Sequence, residues 1–231
     1  EVTFACILKV CGSIQAIDKG KEIHTEIEKQ GLLERDTMVG STLVYMYVNC
    51  GSLSEAQQVF GKLTVQTVVI WNALIAGYAQ HEHGEEALNC FIQIQREGLS
   101  PNEITFTCIL KACGSIGAIE KGKEIHNEIV TRGLLQKNVV LGTALVDMYA
   151  KCSRIAKAQE VLENLPCRDI VSWNALLSGY SQEGRGHEAL NCFEHMQREG
   201  LFPNEFSFSC ILKACGSIGA IAKGIQVHNE I

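Results

Sequence analysis

Cysteine residues recur along this chain at regular intervals, which raises the question of metal or redox chemistry. Pairs of cysteines five residues apart occur three times: Cys6 with Cys11, Cys108 with Cys113, and Cys210 with Cys215. Zinc ligands usually form pairs about two to four residues apart, with a second such pair nearby. Neighbours on one helix face are about three or four residues apart. The spacing of five therefore favours small buried side chains over metal ligands.

Three histidines, His24, His126 and His228, also recur 102 residues apart. We expect them to pack beside a helix rather than to bind a metal. No nucleophile with a neighbouring base and no glycine-rich phosphate loop can be recognised in the sequence. We therefore predict no catalytic residue, no metal site and no cofactor for this chain.

The composition is that of a folded, helical protein. Of the 231 residues, 46% are hydrophobic and only three are proline, which excludes intrinsic disorder and favours helices. Eleven cysteines, an odd number, favour a reducing compartment. The net charge of −6 argues against nucleic-acid binding through bulk positive charge.

No segment of the sequence predicts membrane insertion or a targeting peptide. The most apolar run, residues 68–79, is interrupted by Asn72 and Gly77 and is too short to span a bilayer. The chain opens without a methionine, and we expect it to be part of a longer protein.

The elements that position these residues are internal repeats. Cys-Gly-Ser-Ile begins at Cys11, Cys113 and Cys215, each 102 residues after the last, and Trp-Asn-Ala-Leu begins at Trp71 and Trp173. More than half of the positions are identical when residues 1–102 are placed on 103–204. Self-similarity of this kind indicates a repeat architecture.

Each 102-residue unit divides into three shorter repeats. Four glycines each follow a charge-rich helical stretch, as a glycine at a helix C-terminus does: Gly31, Gly98, Gly133 and Gly200. The predicted repeats are 36, 31 and 35 residues long and cover 1–36, 37–67, 68–102, 103–138, 139–169 and 170–204, with a truncated copy at 205–231. Each is long enough for two helices and a turn.

Apolar periodicity supports two helices in each repeat. In residues 139–169, Leu145, Met148 and Tyr149 share one helical face, and Ala158 and Leu162 share another. A helix pair of this size cannot bury its own apolar faces, so neighbouring pairs must stack. We therefore predict an all-α fold, a right-handed α-α superhelix (solenoid) of helix-turn-helix repeats.

The repeat sequences resemble the pentatricopeptide repeat family over the whole chain. Residues 68–78 read Val-Val-Ile-Trp-Asn-Ala-Leu-Ile-Ala-Gly-Tyr, followed by Glu-Ala-Leu-Asn-Cys-Phe at 86–91 and Gly-Leu-Ser-Pro-Asn at 98–102. The 36/31/35 rhythm excludes the 34-residue tetratricopeptide repeat. It resembles the PLS subclass of plant organellar RNA-editing factors, with 114–126 similar to its long motif and 145–152 to its short motif.

The resemblance implies sequence-specific binding of single-stranded RNA, one base per repeat. In this family the fifth and last residues of a repeat read the base. Here those pairs are Ala5 with Asp36, Ser41 with Thr67, Asn72 with Asn102, Thr107 with Asn138, Thr143 with Asp169, and Asn174 with Asn204, while Ser209 has no partner. The second residue wedges between bases, which gives Val2, Met38, Val69, Ile104, Val140, Val171 and Phe206.

The family code turns these pairs into an expected RNA sequence. Two asparagines imply a pyrimidine, Thr143 with Asp169 implies guanine, and Thr107 with Asn138 implies adenine, weakly. The expected order for residues 68–204 is therefore pyrimidine, adenine, guanine, pyrimidine, from 5′ to 3′. Ser41 with Thr67 and Ala5 with Asp36 depart from the usual pairs. Lys151, at the thirteenth position of its repeat, is the candidate phosphate contact.

Several alternatives stay open at this stage. A serine or threonine early in a helix is often only a cap, and Asn72 and Asn174 have identical neighbours, so they could be packing residues. The chain could instead be a protein-interaction scaffold that docks accessory editing factors on its long repeats. It could also self-associate through open ends, with 205–231 against 1–36 of a second copy.

The resemblance also bears on catalysis and location. Editing factors of this family often carry a deaminase-like domain with a His-x-Glu and Cys-x-x-Cys signature. The combined signature does not occur here, so we expect no enzyme activity from this chain. The family implies a mitochondrial or chloroplast location.

Overall fold

The computed structural model describes residues 2–33, 35–136 and 138–230, and within them it contains α-helices, one 3-10 turn and no strand. The helices are α1 (Val2–Ser13), α2 (Ile17–Lys29), α3 (Thr37–Asn49), α4 (Leu53–Lys62), α5 (Val68–Gln80), α6 (Gly84–Arg96), α7 (Glu103–Ile116), α8 (Ile119–Thr131), α9 (Val139–Lys151), α10 (Ile155–Asn164), α11 (Ile170–Gln182), α12 (Gly186–Arg198), α13 (Glu205–Ile218) and α14 (Ile221–Glu230). The 3-10 turn is Leu134–Gln136.

The helices begin and end where local sequence chemistry requires it. Asp36 precedes α3 and accepts hydrogen bonds from the main-chain N–H groups of Met38 and Val39, which have no partner inside the helix. After α6, Gly98 has a φ of +72°, and the N–H of Leu99 donates to the carbonyl of Ile94 at 3.1 Å. This left-handed glycine lets the chain reverse direction and begin the next pair.

Contacts divide the chain into two compact units, residues 1–112 and 113–231. In the first unit, α1 packs on α3 and α3 packs on α5, while α2, α4 and α6 each pack against the first helix of their own pair. The first helices α3 and α5 are buried on most sides, whereas α4 and α6 bury only one stripe. The odd-numbered helices therefore form the interior layer of this unit.

The second unit is built in the same way. Helix α9 packs on α10 and α11, α11 packs on α12 and α13, and α13 packs on α14. Leu145, Met148 and Tyr149 are buried in α9, and Ala158 and Leu162 are buried in α10. These contacts confirm the two-faced pattern predicted for residues 139–169 and the all-α class of the fold.

We predicted that both cysteines of each pair are buried. The prediction was right for the second cysteine of each pair and wrong for the first. Cys11, Cys113 and Cys215 are buried, but Cys6 is exposed, and Cys108 and Cys210 are only partly covered. Five residues of an α-helix turn through about 140° beyond a full turn. Two side chains with this spacing point to different faces, so the second cysteine faces the interior and the first does not.

Among the residues that the structure describes, none of the helices is long and apolar enough to cross a bilayer.

Candidate nucleic-acid interface

The last residue of each complete predicted repeat lies immediately before a first helix. Asp36, Thr67, Asn138, Asp169 and Asn204 occupy the N-cap positions of α3, α5, α9, α11 and α13. The Asn102 side chain accepts from the main-chain N–H of Thr105 in the first turn of α7. Except at Thr67, the side-chain oxygen of this last residue accepts a main-chain hydrogen bond, so the candidate base readers are also structural caps.

Asn72 and Asn102 contact each other directly. The Nδ2 of Asn72 donates to the Oδ1 of Asn102 at 3.0 Å. The hydroxyl of Thr105 donates to the Oδ1 of Asn72 at 2.7 Å and accepts from the main-chain N–H of Asn102 at 3.1 Å. Asn72 is only 6% exposed, and each end of its amide has a hydrogen-bond partner.

Asn174 and Asn204 repeat this arrangement in the second unit. The Nδ2 of Asn174 donates to the Oδ1 of Asn204 at 3.1 Å, and the hydroxyl of Ser207 donates to the Oδ1 of Asn174 at 2.7 Å. The main-chain N–H of Ser207 donates to the Oδ1 of Asn204 at 3.0 Å. The fifth and last residues of both predicted 35-residue repeats are therefore held together by the same hydrogen bonds.

Thr143 and Asp169 are arranged differently. The Oδ1 of Asp169 accepts from the main-chain N–H of Ser172 at 2.8 Å, and the Ser172 hydroxyl donates to the main-chain carbonyl of Asp169 at 2.8 Å. The Oγ1 of Thr143 is buried and has no hydrogen-bond partner among the described residues. Threonine is shorter than asparagine and is left with a hydroxyl that the fold does not satisfy.

The remaining candidate readers have local partners or none. The Ser41 and Thr107 hydroxyls donate to the carbonyls of Thr37 and Glu103, four residues earlier in their own helices. Ala5 is buried and offers no polar group, and Ser209 is exposed on α13. Asn138 accepts from the N–H of Leu141 at 3.0 Å, and Thr67 makes no side-chain cap bond.

The candidate wedge residues share one property. Each lies in the first turn of a first helix and carries an apolar side chain that is between 51% and 71% exposed: Val2, Met38, Val69, Ile104, Val140, Val171 and Phe206. A helix buries apolar side chains when packing allows it. The same exposed position in every repeat therefore indicates a surface that is kept available for contact.

In residues 1–112 some of these side chains line one cavity of about 720 Å³. It lies along α1, α3, α5 and the start of α7, and we call it the first-helix groove. Its lining includes the candidate readers Ser41, Asn72 and Asn102, the candidate wedges Val69 and Ile104, and Lys9. The groove is therefore apolar at the candidate wedge residues and polar at the candidate base-reading residues, and it is open to solvent.

Positive charge near the candidate readers is sparse. Lys151 is partly exposed, but its Nζ lies 2.8 Å from the Oδ2 of Asp147, one turn earlier on α9. Lys9, Lys111 and Lys213 are exposed on α1, α7 and α13. A phosphate at Lys151 would therefore compete with an existing carboxylate partner.

Two of the three repeated histidines pack beside a helix as predicted, but His228 is exposed, so the packing prediction was wrong for it. The Nδ1 of His24 lies 2.8 Å from the Tyr47 hydroxyl, and the Nδ1 of His126 lies 2.9 Å from that of Tyr149. Burial lowers the pKa of both histidines below the ordinary value for the residue. Burial also raises the pKa of the Cys113 thiol to about 12, so that thiol is protonated and unreactive at neutral pH.

A search of the described residues finds no group of three or more His, Cys, Asp or Glu side chains placed to hold a metal ion.

Two polar residues of the interface were missed by the sequence argument. Thr105 and Ser207 are fully buried in the first turns of α7 and α13, and each joins the asparagine pair beside it. The sequence did contain a signal, because an asparagine followed three residues later by a hydroxyl residue is typical of a reciprocal helix cap. Their bonds to Asn72 and Asn174 were not predictable from that local pattern.

Comparison with known proteins gives consistent matches. Residues 66–115 and 168–217 match the family described as the PPR repeat family, and residues 104–134 match the PPR repeat. A chloroplastic pentatricopeptide repeat-containing protein of Arabidopsis thaliana is 38% identical over 229 residues, which is 99% of this chain and 37% of that protein. A mitochondrial one from the same plant is 32% identical over 223 residues, or 96% of this chain and 40% of that protein. The chain therefore spans well under half the length of these relatives.

Solved structures agree on the fold. The crystal structure of the pentatricopeptide repeat protein PPR10 from maize aligns with 98% of this chain and 34% of its own, with a TM-score of 0.75 and 20% identity. Nuclear proteinaceous RNase P 2 of Arabidopsis thaliana aligns with 69% of this chain and 37% of its own, with a TM-score of 0.53 and 15% identity. At these identities the likeness concerns the fold alone, and it agrees with the predicted helical-repeat class.

Proposed function

Because the chain belongs to the pentatricopeptide repeat family, we propose that it binds single-stranded RNA and selects one base with each repeat. The observation that carries the proposal is the recurring first turn of the first helices. There, an exposed apolar residue is followed three positions later by a candidate reader, as at Val69 with Asn72 and Val140 with Thr143. Aliphatic side chains pack on base faces, and short polar side chains reach base edges.

Helix capping gives a physical reason for base choice at the last residue. An asparagine that caps with its Oδ1, as Asn102 does, has only its Nδ2 donor left to offer a base. An aspartate that caps with one oxygen, as Asp169 does, has the other oxygen left as an acceptor. A donor suits the N3 of cytosine or the N1 of adenine, and an acceptor suits the N1–H of guanine or the N3–H of uracil.

These considerations support the base order expected from the family code. The Asn72 and Asn174 pairs would read pyrimidines, and Asp169 with the unpartnered Thr143 hydroxyl would read guanine. Thr107 with Asn138 would read adenine more weakly, because the Thr107 hydroxyl already donates to the carbonyl of Glu103 at 2.8 Å. The proposed core is pyrimidine, adenine, guanine, pyrimidine from 5′ to 3′, for the proposed repeats 68–102, 103–138, 139–169 and 170–204.

The finer assignment follows from the repeat lengths. We propose that the chain is of the PLS type, with long repeats at 1–36 and 103–138, short repeats at 37–67 and 139–169, standard repeats at 68–102 and 170–204, and a partial long repeat at 205–231. It would act as the recognition module of a mitochondrial or chloroplast RNA-editing factor, with catalysis supplied elsewhere. Relatives named chloroplastic and mitochondrial support an organellar location.

The alternative function is a scaffold that docks accessory proteins on apolar surfaces of the long repeats. Ile7 on α1 is 41% exposed and would suit such docking, but the equivalent Ile211 on α13 is fully buried. Ile109, the equivalent residue on α7, is fully buried as well. The exposure of Ile7 therefore does not recur at the equivalent positions, and it does not favour the scaffold.

A binding titration tests the proposal. The full chain is titrated into labelled RNA with a 5′-CAGC-3′ core, and Asn72→Ala and Asn174→Ala are compared with the wild type by fluorescence anisotropy. We expect each substitution to raise Kd by about 5- to 100-fold, the effect of losing one good polar base contact. Asn89→Ala and Asn191→Ala, at exposed positions on α6 and α12, are the matched controls.

Two outcomes would contradict the proposal. One is equal affinity of all four variants for the RNA, and the other is wild-type binding that does not distinguish the CAGC core from a scrambled core. Capture of an accessory editing factor by a chain that does not bind RNA would favour the scaffold.

A further inference from the structure

The asparagine pairs contain one bond that fixes the orientation of the second amide. The main-chain N–H of Thr105 donates to the Oδ1 of Asn102 at 3.0 Å. A main-chain N–H can only donate, so the Asn102 amide must present its oxygen there. A flipped Asn102 would set two donors against each other and lose the cap of α7.

This anchor determines which end of Asn72 faces Asn102. The atom of Asn72 that lies 3.0 Å from the Asn102 oxygen must be the donor Nδ2. The Oδ1 of Asn72 then faces the Thr105 hydroxyl at 2.7 Å. That hydroxyl accepts from the main-chain N–H of Asn102, and its single proton has two acceptors in reach, the Oδ1 of Asn72 at 2.7 Å and the Oδ1 of Asn102 at 3.0 Å. The shorter contact assigns the proton to Asn72.

The second unit provides an independent copy with a different residue. Ser207 makes the same bonds to Asn174 and Asn204, at distances within 0.1 Å of those made by Thr105, by comparison of the two sets. Threonine and serine share the hydroxyl and not the methyl group, so the hydroxyl is the feature that both copies use.

The 31-residue repeat at 139–169 lacks this arrangement. Ser172 has the same position in α11, but its hydroxyl donates to the main-chain carbonyl of Asp169 at 2.8 Å. Thr143 receives no bond from it. The hydrogen bond from a buried hydroxyl to the fifth residue is therefore present where that residue is asparagine, and absent where it is threonine.

We propose that Thr105 and Ser207 are positioning residues that set base choice at the asparagine pairs of the preceding repeats. The inference rests on the proposed function, since it concerns how that site reads a base. With both amide oxygens engaged, each asparagine pair presents only N–H donors, and it selects a base edge that offers acceptors. Removing the hydroxyl frees the Asn72 oxygen to turn toward the base, so that donor edges are also accepted.

Selectivity at single bases is the test. The full chain and its Thr105→Val and Ser207→Ala variants are titrated with RNAs of core CAGC, GAGC and CAGG, because the Watson–Crick edge of guanine carries N–H donors where cytosine offers acceptors. We expect Thr105→Val to reduce discrimination at the first base by at least about fivefold and to leave the fourth base unchanged. Ser207→Ala should reduce discrimination at the fourth base and leave discrimination at the first base unchanged. Thr105→Ser keeps the hydroxyl and should keep wild-type discrimination at the first base.

The outcomes separate this inference from the proposed function. If the wild type discriminates and folded Thr105→Val and Ser207→Ala discriminate equally well, the positioning role is wrong and RNA reading stands. A uniform loss at both bases would assign a structural role only and would also overturn the inference. If the wild type does not discriminate at the first or the fourth base, the proposed function fails, and the inference fails with it. Circular dichroism verifies the folding of each variant, and Ser207→Ala, the smaller change, provides the test if Thr105→Val does not fold.

Discussion

Thr143 carries a hydroxyl that no other residue described by the structure hydrogen-bonds. Its Oγ1 is buried without a partner, whereas Thr107 and Ser41, at the same position of other repeats, donate to carbonyls of their own helices. A buried polar group without a partner typically destabilises a fold by about 1–3 kcal/mol. An unsatisfied group at a base-reading position is consistent with a partner that arrives with the ligand.

Replacement of Thr143 by valine separates stability from binding. Valine has the same shape without the hydroxyl, so we expect Thr143→Val to keep or raise the free energy of unfolding, by up to about 1 kcal/mol. The same change should weaken binding of the CAGC core by about 5- to 100-fold, because the contact to guanine is lost. Urea denaturation and anisotropy titration measure the two effects.

The matched control is Thr131→Val on α8, where the hydroxyl donates to the carbonyl of Asn127 at 2.8 Å on the exposed side of the helix. It should leave RNA affinity unchanged. A Thr143→Val chain that is clearly less stable, or that binds CAGC as tightly as the wild type, would contradict a ligand-facing role for the hydroxyl.

At the level of helices, close packing depends on glycines inside the first helices. A Cβ added at Gly77 in α5 would lie 2.6 Å from the Cγ1 of Val48 and 3.2 Å from the Cδ2 of Leu53. These atoms belong to α3 and α4, on which α5 packs. Only hydrogen at this position allows the three helices to approach as they do.

We expect Gly77→Ala to destabilise the chain by about 1–3 kcal/mol, because overpacking forces α5 away from its neighbours. Gly61→Ala in α4 is the matched control, since an added Cβ there meets no atom within 4 Å beyond its own helix backbone and adjacent residues. That change should be neutral or stabilising by up to about 1 kcal/mol, because alanine favours the helix. Equal urea midpoints for the two variants would refute the close approach of α5.

At the level of the whole molecule, the charge of −6 constrains how RNA is held. Phosphate neutralisation by lysine and arginine makes affinity fall with salt, with a log–log slope of about −0.7 for each phosphate contacted on a single strand. A chain with few free cations near its candidate readers makes few such contacts. Its affinity must then come mainly from base edges and from apolar packing on base faces.

We therefore expect the log–log salt slope of the association constant for the CAGC core to be shallower than about −2. Lys151→Gln should make the slope shallower by about 0.7 if Lys151 leaves Asp147 to bind a phosphate. Lys62→Gln, which removes a lysine paired with Glu28 at 2.7 Å on the second-helix side, is the charge-matched control. A wild-type slope steeper than about −4 would contradict recognition through a few placed side chains.

Features that depend on residues close together in the sequence could be predicted from the sequence, whereas contacts between distant residues could not. Helix periodicity, caps such as Asp36 and turn glycines such as Gly98 act within about four residues, so the repeats and the all-α class followed from the sequence alone. Which polar atoms remain free was decided by packing. The bond of Asn72 to Asn102 joins residues 30 positions apart, and the unpartnered Thr143 hydroxyl depends on how α9 and α11 meet. Hydrogen bonds between helices require atoms to be within about 3 Å of each other, and only the assembled fold determines that distance.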